Sequence, residues 1–444
     1  MKQCDLLIRN VRILSPQYTV EEGCYAAIRG DRIEAVGKDS ECGYTAAQTL
    51  RGEGKLLMPG LVDGHTHACQ YMLRGKLADE YPMVWTRILV PFESTLNESD
   101  CYLSGQLSTL QQIRSGITTT VESGSSHMHA VAQAAAESGI RAMLARSTMD
   151  QGGFIPPHWR ETAQQCIDRT EEFYRDCNGM GDGRIRVFYA MRQVMSCSPE
   201  LLSMIAERSK ALGTMVHAHL AEHRDEVSYC LQHYQLRPAE VLEKFGLLNE
   251  RLVAAHCVSL SEGEIDLMAK RGVRICHCPR ANLGNHGIPK TPRLLHAGLT
   301  IGIGSDGASG CNMDLFEELR LLRFAIQATQ GLPIFDPVIL PIRSLLDMLV
   351  SGGAHCTGME QELGRVEAGC LADLILLDVE QPHILPCANL INVLVEGVRA
   401  SDVTDSIIGG KVVMRDRQVL TVDEEKLRAD GAQRMKEIYA RSGI

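Results

Sequence analysis

The chain has 444 residues, 45% of them hydrophobic and 23% charged, and a formal net charge of −10. Those values suit a soluble globular protein with a sizeable core, built as two or three domains or as one large barrel with an added layer. The acidic balance, with no basic stripe or Lys/Arg-rich run, excludes nucleic acid as the expected partner.

The opening stretch, MKQCDLLIRNVRIL, mixes charge into its apolar residues, unlike a signal peptide, and no apolar run approaches the length of a membrane span. No membrane association is therefore expected. Residues 4–14, 25–30 and 31–37 then read as short strands punctuated by Gly and Asp. From residue 56 the pattern changes. Strand-like runs LLMPGLVDGHTHA, ITTTVES, RAMLARS, RIRVFYAMRQ, TMVHAHLAE, RLVAAHCV, VRICHCP and LTIGIGSDG alternate with helical stretches such as residues 100–116, 130–139, 199–213 and 260–272. Several of the helical stretches end on the Gly expected just past a helix. Eight strands, each followed by a helix, predict a (β/α)₈ TIM-type barrel in the α/β class. A doubly wound open sheet is the alternative, but no Gly-rich phosphate turn follows the first strand.

The end of the chain returns to strands. ADLILLDV, INVLVEGV, DSIIGGKVVMRD and QVLTV are strand-like, and residues 424–442 form an amphipathic helix. Two β-rich ends around a different middle predict a small β-sandwich domain assembled from both termini. The expected division is 1–57 for its N-terminal part, 58–365 for the barrel, and 366–444 for its C-terminal part with the last helix. Sixteen cysteines lie scattered in apolar segments such as VRICHCP and AAHCV, where a thiol acts as a small hydrophobe. They read as reduced, in a cytoplasmic protein.

In such a barrel the chemistry sits at the C-terminal ends of the strands. The polar residues there are His65 and His67, then His217, His219 and Glu222, then His256, His277 and Asp306. Residues i and i+2 of a strand share a face, so His65 and His67 can both turn toward the barrel axis. His219 and Asp306 approach the same axis from other strands. Three imidazoles and a carboxylate suit one divalent metal ion: zinc first, with iron or manganese as alternatives. Such an ion lowers the pKa of a coordinated water toward neutrality. A lone strand-end His is more often a hydrogen-bonded structural residue, and His217, His223 and His277 are left open on that ground.

The segments MPGLVDGHTH, HLAE, AHCVSLSEGEI, HCPRANL and GIGSDGASGCNMDLFEELR resemble the amidohydrolase superfamily. The similarity is to its ATZ/TRZ-like branch, which includes methylthioadenosine/S-adenosylhomocysteine deaminases, guanine deaminase and chlorohydrolases. GCLADLILLDV is similar to the composite β domain of that family. The resemblance implies that His65, His67, His219 and Asp306 are the metal ligands. It makes Glu222 the acid that protonates a ring nitrogen, His256 the partner of the attacking water or developing oxyanion, and Asp306 a proton carrier. Where binuclear members carry a bridging lysine, this chain has Arg192 and Gln193, which implies a single metal.

The loop KLADEYPMVWTRILVPFESTL resembles one that reads a ribose diol through a Glu, here Glu93, with Trp85 walling the base. Arg146 and Arg160 are matched to a 5′ substituent, and Arg192, Gln193, His277 and Asn282 complete the expected substrate-binding set. A bland reading of Glu93 pairs it with Arg87. Two departures stand out: the strand-four end lacks Pro-His or Pro-Cys before its Ser-Pro, and LGNHGIP follows Asn282 in place of more usual basic and small residues. The implied function is hydrolytic deamination of an aminated heterocycle, foremost an adenine-type nucleoside. Guanine, 8-oxoguanine, pterin or triazine substrates, a chlorohydrolase, and a non-catalytic metal-bearing barrel are the alternatives. The implied partner is a small heterocyclic substrate, and barrels of this kind are expected as homo-oligomers.

Overall fold

A computed structural model describes residues 2–80, 84–125, 127–310 and 313–442. Residues 81–83 of the loop expected to read a ribose and residues 311–312 of the Asp306 motif lie outside the described residues. In chain order the strands of the N-terminal part are β1 (Lys2–Leu14), β2 (Val20–Arg29), β3 (Arg32–Lys38), β4 (Tyr44–Arg51) and β5 (Lys55–Pro59). The middle supplies β6 (Leu61–Thr66), β7 (Ile117–Glu122), β8 (Arg141–Ala145), β9 (Ile185–Met191), β10 (Val216–Leu220), β11 (Leu252–His256), β12 (Arg274–His277) and β13 (Ile301–Ile303). The C-terminal part adds β14 (Leu374–Asp378), β15 (Val403–Ile408), β16 (Lys411–Arg415) and β17 (Gln418–Val419).

Among the described residues, β6 to β13 form one parallel sheet in sequence order. Their residues are buried almost without break, as strands covered on both faces require. The sheet curls until its first and last strands meet, where the Asp306 amide donates to the His65 carbonyl at 3.0 Å. Gly304 makes that seam possible. A Cβ there would lie 2.8 Å from the His65 nitrogen and 2.8 Å from the Cys276 sulfur, closer than real contacts allow. The expected barrel is thus present, and its first and eighth strands are pulled together at the residues of interest.

The strands of the two termini join in one mixed sheet, in the order β17-β16-β15-β14-β5-β1-β2-β3, with β4 on β1. The join is the antiparallel pair of β5 with β14, in which Leu57 faces Leu376. Ile8, Val11, Leu57, Leu374 and Ile407 fill a core of its own beneath it. The run read as a single strand over residues 56–68 is therefore two strands, β5 in the terminal sheet and β6 in the barrel. The sheet is tied to the base of the barrel by a buried pair. Arg141, at the start of β8, donates to Asp373 through Nε at 2.6 Å and Nη2 at 3.1 Å.

One expected strand is a helix. Residues 391–398 read as a strand because they are apolar and β-branched, but Leu390–Glu396 is helical. The Asn389 side chain caps it by accepting from the amides of Ile391 and Asn392, and Leu394 and Val395 are its buried residues. A short apolar run does not distinguish the two states, and the cap with its packing partners decided. Elsewhere the helix signals hold: Ser261 and Glu264 form a capping box, and Gly272 ends that helix in the left-handed conformation. Among the described residues the cysteines are free thiols, most of them buried, and no helix is long and apolar enough to cross a membrane.

Candidate active site

The C-terminal ends of β6, β10, β11 and β13 place five polar side chains around one point. His65 Nε2 lies 3.1 Å from Asp306 Oδ1, and His67 Nε2 lies 3.7 Å from the same oxygen. His67 Nε2 and His219 Nε2 are 3.2 Å apart, with their rings stacked. His256 and His219 are stacked as well, with centroids 5.3 Å apart. The backbone is bent to achieve this. His256 and Asp306, at the strand ends, take φ values of 73° and 58°, left-handed conformations that cost a non-glycine residue about 1–3 kcal/mol each. Such strain persists where the surrounding fold over-determines it, and the barrel seam at Asp306 is one such place.

The donor chemistry of this cluster fits a metal ion. His65, His67 and Asp306 form one group able to hold a cation, and His65, His219 and His256 another. Nδ1 of His219 donates to the Arg192 carbonyl at 2.8 Å. A carbonyl only accepts, so the proton is on Nδ1 and the lone pair of Nε2 faces the cluster. Burial holds the imidazoles of His67, His217 and His219 well below the ordinary histidine range, with neighbouring cationic groups adding to the effect. They are neutral at physiological pH, the form that binds a metal. His217, left open by the sequence, lies behind His65: its Nε2 is 3.1 Å from His65 Nδ1, and the two rings are parallel. It orients His65 from the side away from the cluster.

His256 is held in one tautomer. Asn282 accepts from the Cys278 amide through Oδ1, so its Nδ2 points at His256 Nδ1, 3.0 Å away. The ring proton of His256 is therefore on Nε2, which is buried without a hydrogen-bond partner among the described residues and stands 3.8 Å from Glu222. His277 donates through Nδ1 to the His256 carbonyl at 2.9 Å. Its imidazole is pushed down to about 4 by burial.

These groups open into a cavity of about 740 Å³, lined among others by Trp85, Arg192, Gln193, Glu222 and Asp306. That volume is in the range of small-molecule sites. Trp85 packs against Phe154, with Arg192 over its other surroundings at 5.9 Å from the ring centroid. Glu222 is clamped from two sides: Gln193 Nε2 donates to Oε2 at 2.7 Å and His286 Nε2 to Oε1 at 3.0 Å.

Five of the expected substrate-binding residues do not line this cavity. Glu93 is 1% exposed, and both its oxygens are taken. Arg192 donates to them at 3.1 and 3.2 Å, and Gln70 donates to Oε1 at 2.7 Å. The arginine at the end of strand four, which the sequence alone could not place beside residue 93, has claimed the carboxylate. Arg87, its suggested partner, pairs with Glu80 instead. Arg146 is buried in a bidentate pair with Glu161, and Arg160 is exposed and donates to the Ile155 carbonyl. His277 and Asn282 stand behind His256 and fix its tautomer and position. Sequence reasoning missed His286 and Gln70. The one signal for His286 was the unusual LGNHGIP run, and for Gln70 there was none.

A family model described as the amidohydrolase family matches residues 56–413. The chain is 36% identical over 439 residues to a 5-methylthioadenosine/S-adenosylhomocysteine deaminase of Pelotomaculum thermopropionicum, covering 97% of this chain and 98% of that one. It is 35% identical to a protein of the same name from Moorella thermoacetica, over 92% and 94% of the two chains. Among solved structures it is similar to an adenosine deaminase from Xanthomonas campestris with bound zinc, with a TM-score of 0.91, 28% identity and 99% of each chain covered. An atrazine chlorohydrolase from Arthrobacter aurescens complexed with zinc shares the fold, at a TM-score of 0.85 and 24% identity over 97% and 100% of the chains.

Proposed function

Since the chain belongs to the amidohydrolase family, we propose that it is a metal-dependent hydrolase that deaminates an adenine-type nucleoside and releases ammonia. The observation that carries this reading is the position of Glu222, clamped at the cavity wall beside the His/Asp cluster. A structural metal site needs no such acid. The substrate class is supported by the relatives named methylthioadenosine/S-adenosylhomocysteine deaminases, which match nearly end to end.

His65, His67, His219 and Asp306 would hold one divalent ion, with zinc the first choice for three imidazoles and a carboxylate. Bound there, the ion supplies a water acidic enough to act near neutral pH. Glu222 delivers a proton to the ring nitrogen next to the amino-bearing carbon, so negative charge does not build up on that nitrogen. Asp306 takes a proton from the attacking water and passes it to the departing amine. His256 presents its Nε2 proton to the oxygen as charge develops on it. Trp85 gives the base a flat apolar wall. Arg192 is fixed by Glu93, so the polar floor under the substrate consists of Arg192 and Gln70 and not of a free carboxylate.

The test is an ammonia-coupled assay of the zinc-loaded protein. Adenosine, 5′-deoxyadenosine, methylthioadenosine and S-adenosylhomocysteine are compared with guanine, pterins and amino-triazines. The nucleosides should give the highest kcat/KM. If pterins or guanine outrun every nucleoside, the substrate class is wrong, and if nothing releases ammonia, so is the reaction.

A further inference from the structure

The run LGNHGIP, which departs from the family pattern in the sequence, puts His286 on the rim of the cavity. We propose that His286 is a positioning residue for Glu222 that also stores and resupplies its proton, carrying it between solvent and the carboxylate in each turnover. The proposal rests on the deaminase reading above and assigns the route by which its acid is recharged.

Geometry comes first. Of the two groups that clamp Glu222, the Gln193 amide holds the carboxylate but exchanges no proton with it at neutral pH. Among the described residues, His286 is the titratable group at hydrogen-bond distance of the carboxylate, at 3.0 Å, whereas His256 Nε2 stands off at 3.8 Å. His286 lines the cavity, and its neighbours in the chain, Asn285 and Gly287, are exposed. Its imidazole therefore links the rim to the clamped carboxylate.

Charge agrees with the geometry. The groups that face His286 are Glu222, Asp225 and Asp306 on the acidic side, with His223, 5.7 Å away between ring centroids, and His256 on the other. Burial pulls the His286 imidazole down, but the hydrogen bond and charge of Glu222 outweigh it and raise it above the ordinary range. Burial pushes Glu222 up, yet His256 and His286 hold it well below the usual carboxylate range. The pair thus rests as carboxylate and imidazolium. A carboxylate so stabilised is a poor proton reservoir, and the proton that the reaction needs is on the imidazole.

The balance of the reaction requires such a reservoir. The C–N bond to the amino group breaks and a C–O bond forms. Water supplies the oxygen and two protons, of which ammonia keeps one. The ring nitrogen is protonated before the oxygen releases its second proton, so an acid must lend one meanwhile. The His286 imidazolium passes its proton to the Glu222 carboxylate, which gives it to the ring nitrogen, and the neutral imidazole regains a proton from solvent as the product oxygen loses its own, so the pair returns to carboxylate and imidazolium.

Two measurements test this. In the zinc-loaded enzyme, His286→Ala should lower kcat by about 10²-fold, with metal content unchanged and KM changed much less. The alkaline limb of its kcat–pH profile should shift, because the imidazolium no longer sets it. His286→Gln keeps a hydrogen-bond donor but no titrating group, and it should be as slow as His286→Ala. Wild-type turnover in His286→Ala, or recovery of turnover and of the wild-type profile in His286→Gln, overturns the proposal, since the second outcome leaves only a structural donor. Histidine side-chain NMR is independent of any substrate. The His286 pKa should lie above the ordinary value and fall toward it in Glu222→Gln. An ordinary value unchanged by that substitution overturns the coupling even if the deaminase reading stands, and the elevated, Glu222-dependent value stands even if no nucleoside is turned over.

Discussion

At Glu222, burial and local charge act in opposite directions, and His256 and His286 hold the carboxyl well below its usual range against the burial. Glu222→Gln should keep about one metal ion per chain, because the residue is not a proposed ligand, and lose roughly 10²-fold or more of turnover. Near-normal turnover would mean that the proton comes from elsewhere. His67→Ala is the complementary change: metal, measured by elemental analysis, and activity should disappear together. An active metal-free preparation would refute the metal role. Glu318 offers a test in which catalysis takes no part. Burial, only partly offset by the Arg280 amide that it accepts from, pushes its carboxyl up to about 8. A folded-state value above the unfolded one means that the neutral form is favoured on folding. That contribution to stability is full below the unfolded pKa, near 4.3, and is lost as pH rises through about 8. Glu318→Gln should therefore gain on the wild type in urea midpoint as pH goes from 5 to 9. A constant difference across that window would show that the group does not titrate there.

The barrel strands differ in how tightly they are specified. β6 and β13 meet at a seam held by the Asp306 amide and the His65 carbonyl, and Gly304 is what allows the approach. Gly304→Ala would force a methyl group against backbone on one side and a sulfur on the other. The expected loss is about 1–3 kcal/mol in denaturant unfolding, the usual cost of overpacking. Because the same seam carries His65 and Asp306, metal affinity should fall in step. Unchanged stability would show slack in the seam. The helix Leu390–Glu396 teaches the opposite lesson. Its composition favours a strand, and it is helical because Asn389 caps it and Leu394 and Val395 have a core to enter.

At the scale of the whole molecule, the terminal sheet and the barrel are coupled by Arg141 and Asp373, both almost fully buried. Asp373 also accepts from the Gly409 amide at 2.8 Å, so a single carboxylate joins β8 of the barrel to the turn between β15 and β16. Arg141→Ala leaves that carboxylate buried without its cation. The expected cost is about 3–5 kcal/mol in chemical denaturation. Turnover at low temperature should be nearly unchanged, because Arg141 begins its strand and the candidate site is at the other end. A small stability loss would mean that water or Thr119 takes over the carboxylate, and a large loss of turnover would mean that the two ends of the barrel are coupled.

The sequence by itself determined the architecture and the central cluster. Apolar strands alternating with helices are a local, periodic signal. The pairs His65/His67 and His217/His219 advertise a shared face because a strand repeats every two residues. Glu222 and Asp306 lie in runs whose similarity to a known family extends over much of the chain. What only the tertiary structure decided are the partnerships between residues far apart in the chain. Glu93 and Arg192 are 99 positions apart, and nothing local says that the arginine neutralises the carboxylate expected to read a sugar. Arg146 is likewise spent on Glu161, and His277 and Asn282 serve His256 from behind. His286 acquires meaning only when its loop folds back over Glu222. Strand periodicity tells which face a side chain takes, but a buried charge is satisfied by whichever partner the packing brings within 3 Å, and that is a property of the assembled fold.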